Sequence, residues 1–104
     1  MITVIALFQL PAGTALADAK QVFESTAPRY RDVDGLIRKY YLFDPATRSA
    51  GGCYLLKDRS AAEQLFDDKW HAFVSAKYGV APQVSMFETP VIVDNVLGQI
   101  QVEG

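Results

Sequence analysis

Two cations and two tyrosines stand next to each other in the middle of an otherwise apolar run. Arg38 and Lys39 are followed directly by Tyr40 and Tyr41. Successive side chains of a β-strand point to opposite faces of the sheet, so one of the two cations must enter an apolar layer. A buried guanidinium needs an anionic or aromatic partner. The pattern therefore predicts either a structural ion pair or a binding site for an anionic group.

Two roles for Arg38 remain open. It could form an ion pair with Glu88 of the last predicted strand. It could instead hold the oxyanion of a phenolic ligand between sheet and helices. In that hypothesis Arg38, Tyr40 and Trp70 are the catalytic residues, although plain core packing also explains the tryptophan. The predicted substrate-binding residues are aromatic: Phe23, Tyr54, Phe66 and Phe73.

The single histidine, His71, is predicted to face water, because it lies half a helical turn away from the apolar stripe of its helix. It shares a helix face with Glu63 and Asp67, and such a trio could hold a divalent metal. That face would be solvated and has no visible supporting residues, so we expect no metal. The lone Cys53 sits within an apolar strand and is interpreted as a small core residue rather than a catalytic thiol.

Recognisable cofactor and nucleophile motifs are missing from the sequence. There is no Cys-x-x-Cys, no Ser/His/Asp arrangement and no dinucleotide fingerprint. The Ala50-Gly51-Gly52 run is followed by a strand rather than a helix, so it is not a phosphate loop. Its glycines are expected to permit a bulge or a close approach of two backbones. An enzyme with this sequence would work without a bound cofactor.

Length and composition are those of one globular domain spanning residues 1–104. Half of the residues are hydrophobic and 21% are charged, with a net charge of -2. Basic residues are scattered among acidic ones, which argues against nucleic acid binding. No run approaches the ~18 apolar residues of a membrane span. Because no basic residue precedes Lys20, the N-terminus does not resemble a signal peptide, and we expect a cytoplasmic protein.

The organising element is a predicted β-hairpin over residues 35–57, with two apolar runs joined by a polar segment that contains Pro45. A strand over residues 2–10 and a helix capped by Gly13 or Thr14 precede it. Pro28 should end that helix near Ala27. After the hairpin, one long helix capped by Asp58 or Ser60 is predicted to run to Gly79.

The last predicted strand runs from Gln83 through Phe87, or across Pro90 to Val93. The resulting order βαββαβ predicts an α+β, ferredoxin-like sandwich in which both helices cover one face of a four-stranded sheet. The other face is also apolar, which predicts a homodimer with two sheets packed together, a dimeric α+β barrel. The tail over residues 95–104 alternates from Gly98 onward and is predicted to pair with the partner's sheet; a frayed terminus is the alternative.

Four segments resemble the YdhR-like monooxygenases, a branch of the dimeric α+β barrel superfamily. They are residues 23–30, 35–41, 50–55 and 87–94, and the Ala-Gly-Gly-x-Tyr-Leu run at residues 50–55 is the most specific. Relatives in the superfamily include cofactor-free oxygenases of aromatic polyketides, haem-degrading enzymes and small isomerases. The haem-degrading pattern is not reproduced, because Gln9 stands where an Asn would be wanted. Trp70 and His71 are adjacent on a helix and cannot converge on one ligand.

The resemblance implies a cofactor-independent monooxygenase acting on a small aromatic or polyketide-like substrate. The alternative is a non-catalytic dimeric module that binds a small hydrophobic or aromatic molecule, or stabilises a partner. This alternative is favoured by the sequence itself, which offers no convergent acid and base. An aromatic ligand retained through purification would support a pocket, whereas Trp70, Arg38 and Tyr40 packed solid without a cavity would leave only the interaction module.

Overall fold

The computed structural model describes residues 1–103 of the 104-residue chain. Its first half consists of strand β1 (Ile2–Gln9), helix α1 (Leu16–Thr26) with a following 3₁₀ turn (Ala27–Tyr30), and strands β2 (Leu36–Phe43) and β3 (Ser49–Leu56). The second half consists of helices α2 (Arg59–Leu65) and α3 (Asp68–Tyr78) and strands β4 (Gln83–Glu88), β5 (Val91–Asp94) and β6 (Gln99–Val102). None of these helices has the length and apolar character needed to cross a membrane.

Four strands form one antiparallel sheet in the order β2-β3-β1-β4. The even-numbered residues Ile2, Val4 and Ala6 of β1 are fully buried and pack in the same core as Trp70 and Val74 of α3. Helix α1 packs on the same side through Ala19 and Phe23. All helices therefore cover one sheet face, and the predicted α+β, ferredoxin-like arrangement is confirmed.

The other sheet face is open. Leu7 of β1, Tyr40 of β2 and Phe87 of β4 are all exposed on it. Their cross-strand neighbours include Cys53 and Thr3, which are partly exposed as well. An uncovered sheet face with this many apolar side chains is the surface from which the dimer was predicted.

The predicted end of α1 is confirmed, and its predicted N-cap is wrong. Pro28 ends the regular part of α1, as predicted, and the chain continues as a 3₁₀ turn. The N-cap is Ala15 instead of Gly13 or Thr14; its N–H donates to Asp18 Oδ2 at 3.1 Å. That acceptor satisfies one of the free backbone donors at the helix start.

The single long second helix predicted from the sequence is wrong. Phe66 has a non-helical backbone (φ -92°, ψ 51°), and Asp67 then caps a new helix, its Oδ1 accepting from the Trp70 N–H at 2.9 Å. Asp58 caps α2 in the same way and Gly79 ends α3 with a left-handed backbone, both as predicted. The break places Trp70 in the first turn of α3, directly over the sheet.

The C-terminal segment forms a hairpin of its own. Strand β4 ends at Glu88, before Pro90, and β5 pairs antiparallel with β6 in a separate two-stranded sheet. Asp94 Oδ1 closes the turn by accepting the N–H groups of Val96 and Leu97, each at 3.0 Å. The tail is thus a strand, as predicted, and within this chain its partner is β5. Its exchange with a second subunit stays a prediction.

The candidate site between helices and sheet

A small cavity lies between the helices and the covered face of the sheet. Its volume is about 20 Å³, which is room for about one water molecule. The helices contribute four aromatic side chains to its wall: Phe23, Trp70, Phe73 and Tyr78. The wall is therefore apolar on the helix side, and Trp70 is only 4% exposed.

Lys39 is the cation that enters this apolar layer. Its Nζ lies 3.5 Å from the ring centroid of Tyr30, 3.7 Å from that of Tyr41 and 4.7 Å from that of Tyr54. None of the ion pairs within residues 1–103 involves Lys39. The ammonium group is thus held by ring faces, whose negative quadrupoles attract it, and not by a carboxylate. We call Tyr30, Tyr41 and Tyr54 the tyrosine cage.

The surroundings of Lys39 perturb its protonation. Removal from water disfavours the charged amine and lowers the pKa of Lys39 to about 7. The ring faces act in the opposite direction by stabilising the ammonium. Burial also raises the pKa of the Tyr54 hydroxyl, and it raises the pKa of Tyr78 to about 12. The tyrosines therefore stay neutral, while the lysine can gain or lose a proton near neutral pH.

Two hydrogen bonds fix the cage. Trp70 Nε1 donates to Tyr30 Oη at 3.1 Å. Thr26 Oγ1 lies 2.8 Å from Tyr41 Oη and donates its own proton to the Phe23 carbonyl, so the Tyr41 hydroxyl is the donor to Thr26. Residues of α1 and α3 thereby hold rings from the 3₁₀ turn and from β2.

Two adjacent glycines of β3 make room for this arrangement. A Cβ on Gly51 would lie 1.8 Å from the Ala6 carbonyl oxygen, and one on Gly52 would lie 2.9 Å from the Tyr54 ring and 3.0 Å from the Lys39 stem. The close backbone approach predicted for the Ala-Gly-Gly run is confirmed. Gly52 leaves space for the cage, and Gly51 leaves space for β1.

The predicted placement of Arg38 and Tyr40 is wrong. Arg38 pairs across the strands with Leu55 and Tyr40 with Cys53, on the open sheet face, and Tyr40 is 54% exposed. A bulge between Leu36 and Arg38 shifts the alternation of β2, so that Leu36 and Lys39 both face the helices. The sequence predicted that one cation would enter the apolar layer; the bulge helps to decide which one.

Glu88 does not pair with Arg38. Its carboxylate accepts from the Arg59 guanidinium at 3.2 Å, and both side chains are exposed. Arg38 instead lies beside Tyr40, with its pKa raised chiefly by that hydroxyl. The ion pair predicted between the last strand and β2 is therefore corrected to one between the last strand and the start of α2.

Four of the predicted aromatic residues do converge. Phe23, Tyr54, Trp70 and Phe73 all line the cavity. Phe66 lies behind them, with its ring edge-to-face against Tyr54 and Trp70 at centroid distances of 4.8 and 4.7 Å. Of the tyrosine cage, sequence reasoning found Tyr54 and missed the other two residues. Tyr30 stands in an irregular segment, and the sheet face that Tyr41 occupies depends on the bulge.

The remaining polar candidates lie outside the cavity. His71 is partly buried with its ring edge-on to Trp70 at 5.0 Å, whereas it was predicted to face water. Glu63 is on α2 while Asp67 caps α3, and no metal-binding group of three His, Cys, Asp or Glu forms within residues 1–103. Gln9 donates to the Thr47 carbonyl at the far end of β1.

The element order and sheet topology define the chain as a ferredoxin-like α+β protein. No family model matches it, and no curated protein matches it in sequence. Among solved structures it is similar to a point mutant of SnoaB, a cofactor-independent oxygenase from Streptomyces nogalater, with a TM-score of 0.62 and 19% identity over 85% of this chain and 91% of that one. It is also similar to a "putative antibiotic biosynthesis monooxygenase" from Deinococcus radiodurans, with a TM-score of 0.67 and 13% identity over 90% and 97%.

The lowered pKa of Lys39 makes stability depend on pH. From about pH 7 up to the ordinary lysine pKa of 10.5, the unfolded chain holds more protons at this residue than the folded chain. Folding stability contributed by Lys39 therefore rises with pH across this window. We expect the free energy of unfolding of the wild type, relative to Lys39→Met, to rise from about pH 7 to pH 9, as measured by urea denaturation. A difference that stays constant with pH would contradict the lowered pKa.

Proposed function

We propose that this protein is a cofactor-independent monooxygenase of a small, hydroxylated aromatic or polyketide-like substrate, working as a homodimer. The observation that carries the proposal is the aromatic cavity with one amine in its wall, Lys39. The structural similarity to a cofactor-independent oxygenase supports it. Trp70, Phe23, Tyr54 and Phe73 remain the proposed wall of the substrate site, and Lys39 takes the role first given to Arg38.

The proposed oxidation needs no redox group from the protein, because the substrate itself supplies the electrons. The anion of a hydroxylated anthrone or quinol is electron-rich enough to give an electron directly to O₂. When the CH₂ group of an anthrone becomes a quinone carbonyl, the substrate supplies all the electrons that reduce O₂ to the inserted oxygen and water. The protein then has to hold the anion, orient the ring and exclude bulk water. An ammonium group in an apolar, aromatic wall meets these needs.

Oxygen consumption tests this proposal. We expect oxygen uptake above a heat-denatured control with at least one member of a panel of hydroxylated anthrones and quinols. Lys39→Met should lower kcat/KM about 100-fold, because it removes the charge that stabilises the developing anion. No uptake across the whole panel would contradict an oxygenase function.

Lys57→Met is the matched control. Lys57 is an exposed lysine beyond the end of β3, 3.7 Å from the Asp34 carboxylate, and it does not line the cavity. Its loss should leave kcat/KM within about twofold of the wild type, because a screened surface pair contributes little. Equal losses in both lysine variants would show that the effect is not specific to the cage.

A non-catalytic binding module is the second candidate. The small cavity volume and the tight packing of Trp70 favour a module that stabilises a partner, because the cavity of the free protein has no ready space for an aromatic ring. Native mass spectrometry of freshly purified protein distinguishes the two functions together with the uptake assay. A retained aromatic ligand without oxygen consumption would support the binding module.

A further inference from the structure

Lys39 stands in a wall that the cavity shares with an outer groove. Lys39, Tyr30 and Tyr41 line the cavity of about 20 Å³ on one side and a groove of about 340 Å³ on the other. The groove runs between the 3₁₀ turn and β2, and it is large enough for a small aromatic molecule. The cavity alone is too small to hold such a molecule. A ligand that reaches Trp70 from this groove must pass these three side chains. Tyr30 and Tyr41 are held by hydrogen bonds to Trp70 and Thr26, which leaves Lys39 as the side chain to be displaced.

The contacts of Lys39 allow that displacement. No ion pair within residues 1–103 holds its Nζ, and each ring face attracts it only weakly. The stem lies against the bare backbone of Gly52, where an added Cβ would lie 3.0 Å from Lys39 Cε. An aromatic ligand can stack on the same tyrosine faces that the Lys39 amine now covers, so the exchange replaces one favourable contact by another.

We infer that Lys39 closes the cavity in the free protein and, once displaced, accepts the proton of a ligand hydroxyl, which makes acidic phenols and enols the ligand class. The inference deepens the proposed function and uses the same site. In the step, the ligand O–H bond breaks, an N–H bond forms on Lys39 Nζ, and the electron pair stays on the ligand oxygen. No electrons leave the ligand, and the product is a phenolate paired with an ammonium group.

Among the titratable groups around the cavity and the groove, Lys39 is the one suited to accept a proton from a ligand. From the 3₁₀ turn, β2 and β3 it meets the three tyrosines of the cage, and Tyr78 of α3 lines the same cavity. On the groove side the charged groups are Arg31, Asp32 and Arg38. Asp32 is exposed and does not line the cavity. The amine of Lys39, whose pKa burial lowers to about 7, is the base suited to that pH.

Binding of 4-nitrophenol, followed by calorimetry in two buffers of different ionisation enthalpy, tests the inference. Slightly above neutral pH the free probe is an anion, while Lys39 is largely the free amine. Formation of the ion pair in the wild type should then take up close to one proton, about 0.5–1. Lys39→Arg is already charged and should bind the anion with no proton uptake. Lys39→Met should bind at least about tenfold more weakly, and Lys57→Met should behave as the wild type.

Several results would overturn the inference. They are absence of wild-type binding at millimolar probe, wild-type binding without proton uptake, and equal affinity in Lys39→Met. Circular dichroism establishes that each variant is folded, and Lys39→Arg keeps the test valid if Lys39→Met is unstable. The assay consumes no oxygen. Proton uptake without anthrone oxidation would therefore uphold the role of Lys39 and refute the oxygenase, and the reverse pair of results would do the opposite.

Discussion

Gly51→Ala is expected to destabilise the protein by about 3 kcal/mol or more, enough to unfold a large fraction of a marginally stable domain. The added Cβ would lie 1.8 Å from the Ala6 carbonyl oxygen, and the atom it meets belongs to the backbone of β1, which cannot rotate away. Gly51 also has φ +149°, a conformation that L side chains rarely adopt. Urea denaturation followed by circular dichroism measures the loss.

Gly79→Ala is the control for backbone strain alone. Gly79 has φ +77° at the end of α3, but a Cβ added there would have no other atom within 4 Å. We expect a cost of about 1–2 kcal/mol there. Comparable losses at both glycines would mean that β1 and β3 can move apart and that their close approach is not what requires Gly51.

Leu7→Glu is expected to convert the proposed homodimer into a monomer. Leu7 is 38% exposed on the open face of the inner strand β1, so the charge costs little in an isolated subunit but would be desolvated between two packed sheets. The exposed apolar residues of the β5–β6 hairpin, such as Val93 and Ile100, add to the surface that a second copy would cover. Light scattering at micromolar concentration gives the mass.

Val80→Glu is the matched variant for this test. Val80 is 39% exposed but lies in the loop after α3, away from the open face. It should leave the dimer intact. A wild-type monomer would refute the dimeric barrel, and an unchanged dimer in Leu7→Glu would place the contact on another surface. A chain ending at Asn95 tests separately whether the hairpin contributes to association.

The sequence predicted the architecture well because strong, independent signals agreed. Pro28, Asp58 and Gly79 mark helix ends by local chemistry, and the order of elements leaves few topologies. It failed at Phe66, where an apolar stripe continued across a helix break. The Asp67 side chain that caps α3 was the available signal.

The site was only half predictable for a related reason. Helix residues such as Trp70 and Phe73 were found from their spacing. Which residues of β2 face the helices was not found. Alternation alone cannot locate the bulge that precedes Arg38, and one residue of slip exchanges the two sheet faces. Lys39 was therefore left without a role, although its position next to Arg38 in an apolar run made it an equal candidate.

The same bulge gives the chain tolerance to changes in length. From Arg38 onward, β2 is held in register by its pairs with β3, Lys39 opposite Tyr54 and Tyr41 opposite Gly52. An insertion or deletion in the segment before Arg38 can be absorbed by enlarging or removing the bulge, without turning Lys39 to the other face. A change of length cannot be absorbed in this way at Gly51 and Gly52. The backbone of Gly51 lies directly against Ala6, and that of Gly52 lies against Tyr54 and Lys39. Related sequences should therefore vary in length ahead of the lysine and keep a fixed spacing between it and the glycine pair.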